Sequence, residues 1–183
     1  MGIPTLIKTL TASGDSSLSF VDGTADVTLD STYDEYMFVF TDINPATDAT
    51  EFTFQVNVDG QSGYNEIVTS AGFYSYHTEA GTESGLAYST LIDQAQGTAG
   101  QVIMRDVGNG ADESGAGILH LFTPSNTTYV THFYSETSSY HKDNAATKDF
   151  AAGYFNVTGA IDEIEFKFSA GNFDGVIQMY GIS

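Results

Sequence analysis

The chain is built from short runs that alternate apolar and polar side chains. Between residues 51 and 58, Phe52, Phe54, Val56 and Val58 are interleaved with Thr53, Gln55 and Asn57. Near the C-terminus, Ile164, Phe166 and Phe168 are interleaved with Glu163, Glu165 and Lys167. A period of two puts successive side chains on opposite faces of a strand, so each such run buries one face. No stretch of about 12 residues or more carries the helical period. Only residues 90–99 offer space for a turn or two of helix. These patterns predict an all-β chain.

Read in order, the pattern predicts about ten short strands. The N-terminal candidates are the runs around Leu6–Leu10, Leu18–Val21, Val27–Leu29 and residues 33–40, the last followed by a loop at Pro45. Next come residues 51–58, 64–68, 73–77, 100–105, 118–122, 128–135 and 150–157, and then the final pair at 164–168 and 173–180. Glycine-rich or polar stretches at 78–85, 106–117 and 137–149 read as loops. This spacing is that of a sandwich or barrel. No fixed-period repeat and no dividing linker is present, so residues 1–183 are expected to form one antiparallel β-sandwich. The last strand ends in Ile182 and Ser183 and is expected to be a core element that closes the fold.

Charge excludes several functions. The chain has 24 acidic side chains against 5 basic ones, a net charge of -19. The basic residues are scattered, with none between Lys8 and Arg105 or between Arg105 and Lys142. Nucleic acid and anionic membrane both require clustered Lys and Arg, so neither is an expected partner. A solvated acidic exterior favours solubility. There is no cysteine, hence no disulfide or thiolate chemistry. No basic, apolar leader is present, so synthesis in a host cytoplasm is expected, with any exit by lysis or as part of a particle.

Residues suited to catalysis or metal binding are dispersed. His77, His120, His132 and His141 lack the tight spacing of a zinc site. Residues 106–113 hold Asp106, Asp112, Glu113 and Asn109 on a glycine-bearing loop, oxygen chemistry that suits calcium but departs from the EF-hand order. Residues 42–48 are a weaker case. Neither a nucleophile elbow nor a phosphate-cradling Gly-Lys-Ser/Thr loop occurs. No catalytic, cofactor-binding or metal residue is therefore assigned, and no cofactor is expected. The aromatic residues Phe73, Tyr74, Tyr76, Tyr129, Phe133, Tyr134 and Tyr140 are concentrated mid-chain. They serve either as a contact surface, with another copy of the chain as partner, or as half-buried strand packing.

Three stretches carry a resemblance. Residues 169–183, a serine/glycine turn and a strand finishing in Tyr180-Gly181-Ile182, resemble the ending of small virion proteins of tailed phages of marine and cyanobacterial type. Residues 6–20 resemble their opening, and residues 33–40 their second main strand. The resemblance implies a jelly-roll sandwich in a non-enzymatic virion structural protein. Within that class it implies a decoration or cement protein on the outer head, a homotrimer bridging major capsid subunits. The alternative within the same resemblance is a tail-associated fibre or receptor-binding module that holds host glycan. A small hydrolase is the third reading.

Overall fold

The computed structural model describes residues 2–183; Met1 lies outside it. Most of the alternating runs are strands. In chain order the strands are β1 (Thr5–Asp15), β2 (Leu18–Val21), β3 (Glu35–Pro45), β4 (Thr50–Val58), β5 (Val68–Thr78), β6 (Ser84–Tyr88) and β7 (Gln94–Gly97). They continue as β8 (Gln101–Val107), β9 (Gly115–Phe122), β10 (Thr131–His141), β11 (Ala145–Phe155), β12 (Ile161–Phe168) and β13 (Phe173–Ile182). There is no helix among the described residues; within residues 90–99, residues 90–92 make a single turn, Asp93 N–H donating to Ser89 O at 3.3 Å, and Gln94–Gly97 form the short β7. Thirteen strands form where about ten were expected.

All strands pair antiparallel in one sheet that curls into a nearly closed, barrel-like form. One path runs β1-β13-β3-β9-β10, and β10 then meets β8 at a single position, His141 opposite Val107. From β8 the order continues β4-β12-β2. On its other flank β10 pairs with β11, β11 with β5, and β5 with β6 and β7. The C-terminal strand lies between β1 and β3, with Ile177 and Met179 fully buried.

The inward faces meet in an aromatic core. Phe38 and Phe40 of β3 lie across from Phe20 of β2, Phe52 of β4 and Phe166 of β12. Ring centroids are 5.4 Å apart for Phe20–Phe38, 5.3 Å for Phe38–Phe166 and 5.4 Å for Phe40–Phe52. Edge-on and tilted pairs of this kind add about 0.5–1.5 kcal/mol each beyond the area they bury.

The structure corrects several local expectations. Residues 137–149 are not a loop. They form the β10–β11 hairpin, turned at Lys142, Asp143 and Asn144, with Asn144 at a φ of 53° and its N–H donating to His141 O at 3.0 Å. The inward residues of this hairpin are Thr137, Ser139, Thr147 and Asp149, all buried. Their hydroxyls are bonded internally, Ser139 Oγ lying 2.8 Å from Thr147 Oγ1. A strand buried through satisfied polar groups does not show the hydrophobic alternation that marks other strands. Pro45 ends β3 opposite Phe173 instead of lying in a loop. Val27 and Leu29 are buried without forming a strand, and only Val68 of residues 64–68 is in one.

Gly72 of β5 is set by a close approach. A Cβ there would run into the side chain of Ile92 and the carbonyl oxygen of Phe150. Gly72→Ala is expected to cost about 1–3 kcal/mol through overpacking, read as a lower denaturant midpoint at unchanged slope.

Candidate functional site

Two features stand out, one on each side of β5. The first lies on the inward side of β5, which with β11, β6 and β7 branches off the main strand path. Part of that side is covered by residues 89–93, with Ile92 fully buried over Gly72. Ser70 Oγ and Gln101 Nε2 donate to Ile92 O at 2.9 and 2.8 Å, fastening this segment. Farther along β5 a cavity of about 190 Å³ opens, lined by Tyr74, Tyr76, Glu83, Arg105, His141 and Asp143 among others.

Arg105 is the centre of that cavity wall. Its Nε donates to Asp149 Oδ1 at 2.7 Å, and its backbone N–H donates to Oδ2 at 3.2 Å. The guanidinium carbon lies 3.5 Å from the Tyr74 ring centroid, a stacked cation–π contact. Asp149 is 1% exposed. Burial pushes its carboxyl above the usual aspartate range, with the Arg105 charge and hydrogen bonds opposing that shift. On the rim, Asp143 N–H donates to His141 Nδ1 at 3.1 Å, and His141 Nε2 lies 3.6 Å from Asp106 Oδ2. The Tyr76 ring lies against Gly85, its cross-strand partner on β6.

The second feature is the outward face of the same strands. Register places Tyr88, Phe73, Phe150, Glu136 and Ile118 in one cross-strand row from β6 to β9. The neighbouring row is Ala71, Ala152, Tyr134 and His120. Phe73 and Phe150 stack at 4.7 Å, and Tyr134 stacks on His120 at 4.5 Å. Phe73, Tyr88, Leu86 and Tyr134 are nonetheless exposed. A shallow apolar groove runs between them, floored by Ala71 and Ala152. Over the outward positions of β9, β10, β11, β5 and β6 the one carboxylate among the described residues is Glu136, ion-paired to Lys148. A chain of net charge -19 thus keeps the strand positions of one broad face poor in acid, with Glu35 paired to His120 and Asp93 bonded to Tyr88 Oη at its edges.

The mid-chain aromatics divide four ways. Phe73, Tyr134 and Tyr140 point outward, Tyr74 and Tyr76 line the cavity, and Phe133 is core. Tyr129 is on an exposed loop. The histidines do not converge: His120 pairs with Glu35, and His77 Nδ1 lies 2.9 Å from Thr78 O. In the 106–113 loop, Asp106 faces Lys142 and His141, while Glu113 Oε2 accepts from Gly110 N–H at 2.6 Å. Among the described residues no cluster of three or more His, Asp or Glu is placed to hold a metal ion. The Arg105–Asp149 pair was not singled out from sequence. Its one available signal is a lone arginine inside an apolar strand of an acidic chain. No family model, curated protein or solved structure matches this chain.

Proposed function

We propose that the chain is a non-enzymatic structural protein of a tailed-phage particle, a decoration protein on the outer head surface that acts as a homotrimer. The observation that carries this reading is the acid-poor aromatic face on β6, β5, β11, β10 and β9. Elsewhere two copies of so acidic a chain repel; on this face they approach with apolar area, the Glu136–Lys148 ion pair and the Glu35–His120 contact. The occupant of the face is therefore a neighbouring copy, and in a trimer one part of each copy's face meets a different part of the next copy's, since a patch paired with itself closes at two. The acidic remainder suits the outside of a shell and not its DNA-facing side.

Within this reading the fold is a jelly-roll sandwich. Its support is strand order. One layer reads β1-β13-β3-β9 and the other β2-β12-β4-β8. With the insertions β5–β7 and β10–β11 set aside, this is the interleaving of two Greek keys that makes an eight-stranded jelly roll, an architecture used by capsid domains. Each copy bridges neighbouring capsid subunits and adds contact area against internal pressure.

Sedimentation velocity at micromolar concentration tests the oligomer, with a trimer expected. Introducing like charges at the centre of the face, Phe73→Glu with Ala152→Glu, is expected to weaken association about 100-fold or more. A monomeric parent chain overturns the oligomer, and an undisturbed double variant overturns the face. Quantitative mass spectrometry of purified particles tests the location. A copy number commensurate with the capsid subunits supports the head, and a tail-like stoichiometry refutes it.

A further inference from the structure

We propose that the Arg105 cavity is a binding site for one neutral saccharide ring. It lies on the inward side of β5, opposite the self-association face, and holds whether or not copies pair there. The first observation is an incomplete arginine. Arg105 is 7% exposed, and its side chain makes one hydrogen bond among the described residues, from Nε to Asp149. Its terminal amino groups have no protein acceptor, on a residue that lines the cavity. These amino groups are not among the fully buried unpaired atoms; they open to the cavity, where water or a ligand supplies their acceptors.

Local charge selects the ligand class. The Arg105 charge is offset by Asp149 at 2.7 Å, while Glu83 and Asp143 bring further carboxylates to the rim. A free anion meets net repulsion at this mouth. A free cation meets the N–H edge of the guanidinium. A neutral ligand whose hydroxyls accept from Arg105 and donate to Glu83 and Asp143 satisfies both sets, which is the pattern of vicinal hydroxyls on a sugar. The Tyr76 side chain supplies an aromatic wall for the C–H face of the ring. The volume of about 190 Å³ leaves room for a small ligand and not for an extended one.

The test is saturation-transfer NMR on the full chain with glucose, galactose, mannose and N-acetylglucosamine as separate probes. Sodium acetate and inorganic phosphate serve as anionic comparisons. The expected result is transfer to at least one sugar, with affinity reduced about tenfold or more in Tyr76→Ala and in Glu83→Gln. Both substitutions are at the rim and leave the Arg105–Asp149 pair intact; the circular dichroism of each variant is expected to match the parent. Absence of transfer to all four sugars at millimolar concentration overturns the proposal. So does sugar binding that both rim variants leave unchanged, and so does binding of acetate or phosphate with no sugar bound.

Discussion

Phe166→Ala is expected to destabilise the protein by about 3–5 kcal/mol, the range for removing a buried ring and leaving a cavity. The ring is fully buried on β12 and is the meeting point of the core. Its centroid lies 5.3 Å from those of Phe38 and Phe40, 6.1 Å from Phe52, and 6.2 Å from Phe20 and Phe54. Those five rings come from β2, β3 and β4, so truncation loosens the contact between the two opposed parts of the sheet and not one strand pair alone. Collapse to fill the void is restricted, because each neighbouring ring is held by its own strand register. At roughly 2–4 °C per kcal/mol for a domain of this size, Tm falls by about 6–20 °C. Phe166→Leu keeps most of the volume and is expected to cost about half as much or less. Calorimetry of the two variants decides the matter. A loss below about 1 kcal/mol for the alanine variant would sink the claim that this ring ties the sheet halves together.

What the sequence made legible follows from the same core. Phe52, Phe54, Ile164, Phe166 and Phe168 alternate with polar neighbours because they pack into the sealed apolar core while the opposite face of β12 is half-buried or exposed and that of β4 is buried under polar contacts, Thr53 Oγ1 donating to Lys167 O and Gln55 Nε2 to Glu66 O, each at 3.0 Å. That asymmetry is the whole basis of pattern reading. It failed over residues 137–149, the hairpin ends of β10 and β11, whose inward side holds Thr137, Ser139, Thr147 and Asp149. There the hydroxyls face in, so no apolar alternation marks the strands and composition points to a loop, whereas the far ends, where Phe133 and Phe155 face in, do read as strands. The acid-poor face was hidden for a related reason. Its residues come from five strands spread from Ala71 to Ala152, and their near-lack of carboxylates is visible only once register sets them side by side. Tyr74 and Phe73 are adjacent in sequence yet serve the cavity and the outer face respectively, a division that only strand parity assigns.

Asp149→Ala is expected to cost about 3–5 kcal/mol, the penalty for removing one partner of a buried ion pair and stranding the other. The variant leaves the Arg105 guanidinium buried with no carboxylate, and it also removes the acceptor of the Arg105 backbone N–H. The Tyr74 ring remains as a cation–π partner but neutralises no charge. Replacing both residues, Arg105→Met with Asp149→Leu, is expected to be neutral or stabilising by about 1–4 kcal/mol. The pair is then a constraint on which groups face the cavity and not a source of net stability. The pH dependence has a defined sign. Burial raises the Asp149 pKa above its ordinary value, so the folded protein binds this proton more tightly than the unfolded chain does. Stability contributed by the carboxyl is therefore greatest below the ordinary aspartate range. It falls as pH rises through the window up to the raised folded pKa, and is level above it. Denaturant titrations of parent and Asp149→Ala from about pH 4 to pH 8 read this directly, as a parent advantage that shrinks with rising pH and then flattens. An advantage that instead grows with pH would mean that the Arg105 charge outweighs burial, and the carboxyl is held below its ordinary value.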